Sequence, residues 1–161
     1  MKSMRARIGG ALVAAGLGMV LAAPAMADVV ASEAWSRATV PGAKTGAGYL
    51  VLTNTGDKPR KLLRITSPAC DTVTLHLSSI DSQGVAHMWP VAKLEIAPGE
   101  VVRFVPNGLH VMFNDLTAPF EVGKSVPLSL RFEDDERDMV VQLEVRPLTT
   151  AAPMDHKHPT R

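Results

Sequence analysis

The chain has 161 residues, of which 46% are hydrophobic and 20% are charged, with 17 basic and 16 acidic side chains. This composition suits one globular domain with a single core and is too apolar for a disordered chain. Three basic residues lie in the first seven positions, so the segment after Ala27 carries a net charge of −2. Nucleic-acid binding needs clustered Lys and Arg, and we therefore expect no nucleic-acid partner.

The first 27 residues have the organisation of a secretory signal peptide. The early basic residues precede an uncharged apolar run over 8–22, and Ala25-Met26-Ala27 follows. A run of about 15 residues is short for a membrane span, which needs about 20, and the A-x-A end predicts cleavage after Ala27. We therefore expect residues 1–27 to be a leader, the protein to be exported to the periplasm, and the mature chain to have no membrane span.

From Val29 onward, short stretches of alternating apolar and polar residues are separated by Gly, Pro, Asn and Asp, as in strands joined by turns. No helix-length stretch has a 3.6-residue period. The sequence predicts an all-β domain over 28–147, an antiparallel sandwich or partly open barrel, followed by a flexible polar tail over 148–161. The nine predicted strands are Val29–Arg37, Gly46–Asn54, Lys61–Ser67, Thr72–Ser79, Val85–Val91, Val101–Val105, His110–Asn114, Ser125–Phe132 and Met139–Val145.

Alternation along two of these strands separates core residues from surface residues, because successive side chains point to opposite faces. Over 72–78 the apolar residues share one parity, and His76 has the other. Over 109–113 the apolar residues again share one parity, and His110 and Met112 project together from the opposite side. A methionine beside a histidine on the non-core face is unusual and predicts a metal site.

A third strand adds a methionine and a histidine. Met88 lies on the parity opposite to Val85, Trp89 and Val91, whereas His87 shares the apolar parity and is interpreted as a packed, hydrogen-bonded ring. Met139 is predicted to be core.

The chemical softness of these side chains indicates which metal they would bind. Thioether sulfur is soft and uncharged and imidazole is borderline, so two His and two Met suit Cu(I). Zinc prefers thiolates or carboxylates, and calcium or magnesium needs clustered oxygen ligands. The predicted metal ligands are His76, Met88, His110 and Met112.

The spacing of these residues resembles the metal motif of the periplasmic copper chaperones called PCuAC. In that motif a His is followed after ten residues by a Met and after twenty-one more by His-x-Met. Here the second interval is twenty-one and His110-Val111-Met112 completes the motif, while the first interval is eleven, with the additional residue expected in the Asp81–Gly84 turn. Counting ten would make His87 the second ligand; Met88 is preferred for its softness and parity.

The resemblance covers most of the chain after Ala27. It implies a cupredoxin-like β-barrel with a solvent-facing Cu(I) site and a non-enzymatic role in carrying copper toward the CuA centre of cytochrome c oxidase. The implied acceptors are cytochrome c oxidase subunit II or a Sco-type thiol protein. The segments that resemble the family are Ala34–Arg37, Gly42–Tyr49, Thr53–Gly56, Leu94–Ile96 with Pro98-Gly99, Pro106–His110 and Pro127–Phe132.

Two other functions stay open. A blue-copper electron carrier needs a Cys thiolate beside its histidines, and Cys70, the only cysteine, lies six residues before His76 with the same parity. A metal-free adhesion or assembly module could use the same fold. A hydrolase or oxidase is not expected, because no Ser-His-Asp arrangement or open three-ligand centre is present. We predict that Cys70 is a small buried residue and not a ligand.

The tail contains Met154, His156 and His158. Two imidazoles two residues apart suit Cu(II), which favours nitrogen ligands, so the tail is interpreted as an auxiliary copper site. The alternative is a disordered terminus whose histidines are incidental.

Overall fold

The computed structural model describes residues 28–148, so the predicted leader and the tail after Leu148 lie outside the described residues. The described residues form ten strands and no helix, and none of them belongs to a helix that could span a membrane. Nine strands correspond to the predicted ones, with ends displaced by at most two residues, and β6 is additional. The strands are β1 (Val29–Arg37), β2 (Thr45–Asn54), β3 (Arg60–Thr66), β4 (Cys70–Ile80), β5 (Ala86–Pro90), β6 (Leu94–Ile96), β7 (Val101–Arg103), β8 (Leu109–Leu116), β9 (Ser125–Phe132) and β10 (Met139–Arg146).

All ten strands belong to one sheet, in the order β5-β4-β8-β2-β1-β10-β9-β3-β6, with β7 paired to β2. Every pair is antiparallel except β1 and β10, which run parallel with Trp35 opposite Glu144. The predicted all-β class is confirmed, as an open mixed sheet instead of a wholly antiparallel one. β5 and β6 are the ends of the sheet.

The core lies on one face of the central strands. Alternate residues of β9 and β10 are buried. β2 is buried continuously from Gly48 to Leu52, and its Leu50 and Leu52 join Val111 and Phe113 of β8 in the cluster. A β-carbon on Gly48 would lie 3.0 Å from atoms of Leu143 and Phe113, so the absence of a side chain lets β2 approach the core closely. Met139 packs against the cluster, as predicted. The largest fully buried side chains are Phe113, Phe132, Leu50, Leu52, Ile96, Leu128, Leu130 and Leu143.

The β4–β5 hairpin extends past this core. Leu77 and Trp89 have the parity of core residues, but they are 45% and 49% exposed, and all five residues of β5 are exposed. The parity over 72–78 related Leu77 to the core residues, and this expectation is wrong. Leu77 lies opposite Leu109, the first residue of β8, so β4 continues here beyond the start of its neighbour. β5 is an end strand with β4 as its neighbour in the sheet.

Candidate metal centre

Strand pairing brings the two predicted histidine ligands together. His76 on β4 lies directly opposite His110 on β8, and their ring centroids are 6.0 Å apart. Directly opposed residues of antiparallel strands point to the same face. Met112 shares this face because it lies two residues after His110, whereas Leu75 and Val111 point to the core.

The register of β5 places Met88 on the same face. Met88 lies opposite Ser78, which is two residues after His76. His87 lies opposite Ser79 and therefore points to the other side of the hairpin. The sheet thus brings together four of the predicted side chains and leaves His87 apart from them.

His87 has other partners on its own side of the hairpin. Its Nε2 lies 2.9 Å from Oδ2 of Asp81, and its ring stacks on Trp89 with centroids 5.8 Å apart and an interplanar angle of 14°. The hydrogen bond with His87, followed by the bond from the Val85 amide, lowers the pKa of Asp81 below its ordinary value. The hydrogen bond and the stacking agree with the interpretation of His87, but its ring is not buried in the core, since its side chain is 46% exposed.

Three of the four side chains on the shared face line one cavity of about 370 Å³. Met88 is 53% exposed, whereas His110 is only 7% exposed. Met112 lies between these extremes. The family resemblance implied a solvent-facing site. The observed cavity is open to solvent at Met88, whereas His110 is buried.

The ring of His110 is fixed by the backbone. Its Nδ1 lies 2.9 Å from the carbonyl oxygen of Gly108. A carbonyl can only accept a hydrogen bond, so Nδ1 carries the proton and Nε2 keeps a free lone pair. Histidines that bind metals commonly have their second nitrogen held in this way, because the contact sets both the tautomer and the ring orientation.

His76 has the opposite arrangement. Its Nδ1 is buried and makes no hydrogen bond in the structure. An unpaired buried polar atom is rare, since it gives up contact with water and gains no bond in return. His76 does not line the cavity, but with the other three side chains on this face it makes a set of soft or borderline donors that fits Cu(I).

Cys70 lies in the core and away from this face. It is 8% exposed, and its thiol donates to the carbonyl of Thr72, with sulfur and oxygen 3.4 Å apart. Burial raises the pKa of the thiol. The alternation of β8 breaks at Asp115, where φ is 56°, and Leu116, the partner of Cys70, points into the core. Equal parity therefore does not place Cys70 on the same face of the sheet as His76.

Other ligand types do not converge near this site. Among residues 28–148, His, Cys, Asp and Glu form no group of three or more that could hold a metal ion. The two opposed imidazoles have thioethers as their neighbours on the shared face, and no thiolate or carboxylate joins them. The described residues therefore do not provide the Cys and two His of a blue-copper site.

The predicted tail ligands Met154, His156 and His158 lie outside the described residues. Leu148, where the described chain ends, lines the cavity with Met88 and His110. The tail therefore begins at the candidate metal centre.

Sequence reasoning missed the residues that β1 and β2 contribute to the cavity. Arg37 and Tyr49 line it, with the guanidinium carbon 6.0 Å from the centroid of the tyrosine ring. Burial raises the pKa of Tyr49, and the positive charge of Arg37 partly opposes this effect. Both residues lie in segments that the family resemblance covers, but neither belongs to its metal motif.

Comparison with solved structures shows where this fold occurs. The structure matches "Copper-bound PCuAC domain from PmoF2" with a TM-score of 0.63 at 21% identity, covering 76% of this chain and 96% of that chain. It matches "Solution structure of CuI-DR1885 from Deinococcus Radiodurans" with a TM-score of 0.59 at 31% identity, covering 77% of this chain and 81% of that one. The fold is that of PCuAC domains, as the sequence resemblance implied.

Sequence comparison gives the family. "Putative lipoprotein Lxx21020" of Leifsonia xyli subsp. xyli (strain CTCB07) is 30% identical over 107 residues, which are 66% of this chain and 63% of the relative. The sequence model of the LpqE-like family, described as "Putative lipoprotein LpqE-like", matches residues 29–145. This match starts with the first residue of β1 and ends one residue before the end of β10. It spans the whole sheet, and the chain belongs to the LpqE-like family.

Proposed function

We propose that this protein binds one Cu(I) ion through His76, Met88, His110 and Met112 and carries it between other proteins. The observation that supports this most strongly is the shared sheet face, on which two opposed imidazoles are flanked by two thioethers. All four donors are uncharged and soft or borderline, which favours Cu(I) over zinc, calcium or magnesium. The fixed tautomer of His110 adds a lone pair that is already oriented.

The names of the relatives support two parts of the proposal: that the protein carries copper and that it is exported. One matched structure is named as a copper-bound domain, and another, 31% identical to this chain, is named as a Cu(I) form. The family and the curated relative are both named as lipoproteins. Together with the leader pattern, these names support export to the periplasm, with residues 1–27 removed after Ala27 and residues 28–147 forming the copper-binding domain.

The proposed acceptor is the CuA centre of cytochrome c oxidase subunit II or a Sco-type thiol protein. Met88 is exposed on an end strand, so a thiolate from the acceptor can approach the ion there and replace the thioether. Neutral ligands hold the ion without the strong charge attraction that would oppose its release. Mixing the Cu(I)-loaded protein with an apo CuA domain should move the ion, and retention of all copper would contradict this acceptor.

Competition with a Cu(I) chelator tests the site. We expect Met88→Ala, His110→Ala and Met112→Ala each to weaken Cu(I) binding at least about tenfold, since removal of even an outer hydrogen-bond partner costs about 10–100-fold in metal affinity. His87→Ala is the matched control, because it removes an imidazole from the adjacent position on the opposite face. Amide spectra of each variant check that the sheet is retained.

Two outcomes would overturn parts of the proposal. A greater loss of Cu(I) affinity in His87→Ala than in Met88→Ala would assign the second ligand to His87. Failure of the unaltered protein to hold Cu(I) against the chelator would favour a metal-free adhesion or assembly module. X-ray absorption of the loaded protein counts its sulfur and nitrogen neighbours independently of any substitution.

We also propose that the tail captures Cu(II) through Met154, His156 and His158 and passes copper to the main site. The position of Leu148 at the cavity supports this, since a tether there keeps the tail at roughly millimolar effective concentration. Deletion of residues 154–161 should reduce Cu(II) uptake at pH 7 and leave Cu(I) affinity unchanged. Imidazole binds metal when neutral, so uptake by the tail should fall below about pH 6.5. Equal Cu(II) uptake by both proteins would make these histidines incidental.

A further inference from the structure

The cavity that contains Met88, His110 and Met112 also contains an arginine that has no counter-ion within residues 28–148. Among the residues of 28–148 that line it, Arg37 alone carries a full charge when histidine is neutral. Its Nε is buried and makes no hydrogen bond. The ring of Tyr49 supports the guanidinium by a cation–π contact. No acidic side chain in the described part of the chain therefore pairs with this positive group in the cavity.

The neighbouring strand β10 supplies no free acid to Arg37. Arg146 on β10 lies directly opposite Arg37 in the parallel pair, so the two positive residues are adjacent. Glu144 accepts two hydrogen bonds from Arg146, at 3.1 and 3.2 Å, and is thereby engaged.

Arg37 differs in exposure from the other described lysines and arginines that make no ion pair. Among the described residues, every other lysine or arginine without an ion pair is exposed, where water solvates its charge. Arg37 alone of this set is partly buried. The exposed residues are Lys44, Lys58, Lys93, Arg103 and Arg137.

We propose that Arg37 forms an anion subsite in this cavity and binds a carboxylate beside the copper cargo. A planar guanidinium matches a carboxylate with two parallel hydrogen bonds, and charged partners strengthen both. A water molecule occupies about 30 Å³ in the liquid. A cavity of about 370 Å³ therefore has room for a small organic anion as well as a metal ion. The role beside copper rests on the proposed function, whereas the subsite belongs to the copper-free protein.

Two sources could supply the carboxylate. One is Asp155 of the protein's own tail, seven residues after Leu148, and seven residues can span up to about 25 Å. The other is a carboxylate from a separate molecule that enters the cavity. Both present the same chemistry to Arg37, so the sources are separated by experiment.

Copper and the anion should help each other to bind. The positive charge of Arg37 repels Cu(I), and a bound carboxylate removes this repulsion and adds an attraction. Such coupling is reciprocal and commonly amounts to about 5–150-fold. Acetate suits the test because its hard oxygen atoms bind soft Cu(I) weakly.

The test is a titration of the copper-free full chain with sodium acetate at constant ionic strength, followed by NMR of the arginine Nε–H signals. The same titration is made on Asp155→Asn. Exposed Arg103, which has no ion pair among the described contacts, is the internal control. A saturating displacement of the Arg37 signal in both proteins supports a subsite for an external carboxylate. If the tail supplies the carboxylate, the Arg37 signal of the unaltered chain should differ from that of Asp155→Asn before acetate is added. Acetate should then displace the Arg37 signal only in Asp155→Asn.

A response of Arg37 that is linear and equal to that of Arg103 in both proteins would overturn the subsite. This result requires no copper, so it is distinct from a failure of the proposed function. A second measurement tests the coupling: acetate should tighten Cu(I) binding several-fold in the unaltered chain and not in Arg37→Gln. Equal effects in the two proteins would remove the role beside copper.

Discussion

At the scale of single residues, the two opposed histidines differ in whether a hydrogen bond holds the Nδ1 atom of the ring before a metal ion binds. His110 is buried, and the Gly108 carbonyl fixes its tautomer, so its free nitrogen is oriented before any ion arrives. His76 offers a buried nitrogen with no partner. The ring of His110 is therefore held before any ion binds, whereas Nδ1 of His76 is not held by a hydrogen bond. Preorganisation of His110 favours an ion on this face.

Cys70 gives a prediction at this scale. Because its thiol is buried in the core and its pKa is raised by burial, Cys70→Ala should leave Cu(I) affinity unchanged and lower the free energy of unfolding by about 1 kcal/mol. The native thiol should react with a thiol-specific reagent much more slowly than the thiol of the unfolded chain. Chelator competition and urea unfolding check the two effects. A tenfold loss of Cu(I) affinity in Cys70→Ala would show that the thiol reaches the ion.

At the scale of elements, the β4–β5 hairpin depends on its turn. Oδ1 of Asp81 accepts hydrogen bonds from the Gln83 and Val85 amides, both at 2.9 Å, while Oδ2 contacts His87. Gly84 follows with φ of 80°, a conformation that residues with a side chain rarely adopt. One carboxylate therefore orders the turn that sets the register of Met88.

The pKa of Asp81 makes this contribution dependent on pH. Since folding lowers the pKa, the ionised carboxylate stabilises the fold above the ordinary aspartate value of about 3.9, and this stabilisation is lost as pH falls through the lowered value. Asp81→Asn should therefore lower the free energy of unfolding at pH 7, with a difference from the unaltered protein that shrinks in acid. Urea unfolding at pH 7 and pH 3 measures it. Asp57→Asn, at an exposed position, is the control, and a difference that does not change with pH would contradict the role of ionisation.

Local pattern was enough to predict most strands and the shared face of the candidate ligands. Alternation depends on neighbouring residues, so it correctly related His76, His110 and Met112 to one side of their strands. It did not predict β6, which pairs with β3 through only three residues. It also misjudged Leu77, because burial depends on which strands cover a position and not on parity alone.

At the scale of the whole molecule, the cavity depends on contacts that no local pattern encodes. Arg37 reaches the candidate ligands because β2 lies between β1 and β8, which are far apart in sequence. Tyr49 joins the cavity through the same arrangement. The sequence could therefore indicate candidate metal ligands, but the residues that line the cavity around them could be identified only from the strand order.

The parallel pair of β1 and β10 joins the first and last strands of the described domain at the middle of the sheet. The sheet cannot be completed until the final strand is present, and closing so long a loop makes folding slow. A growing chain therefore cannot complete this sheet before β10 has been synthesised. Such a delay suits a protein that we propose is exported, because a narrow translocation channel passes an unfolded chain and stops a folded one.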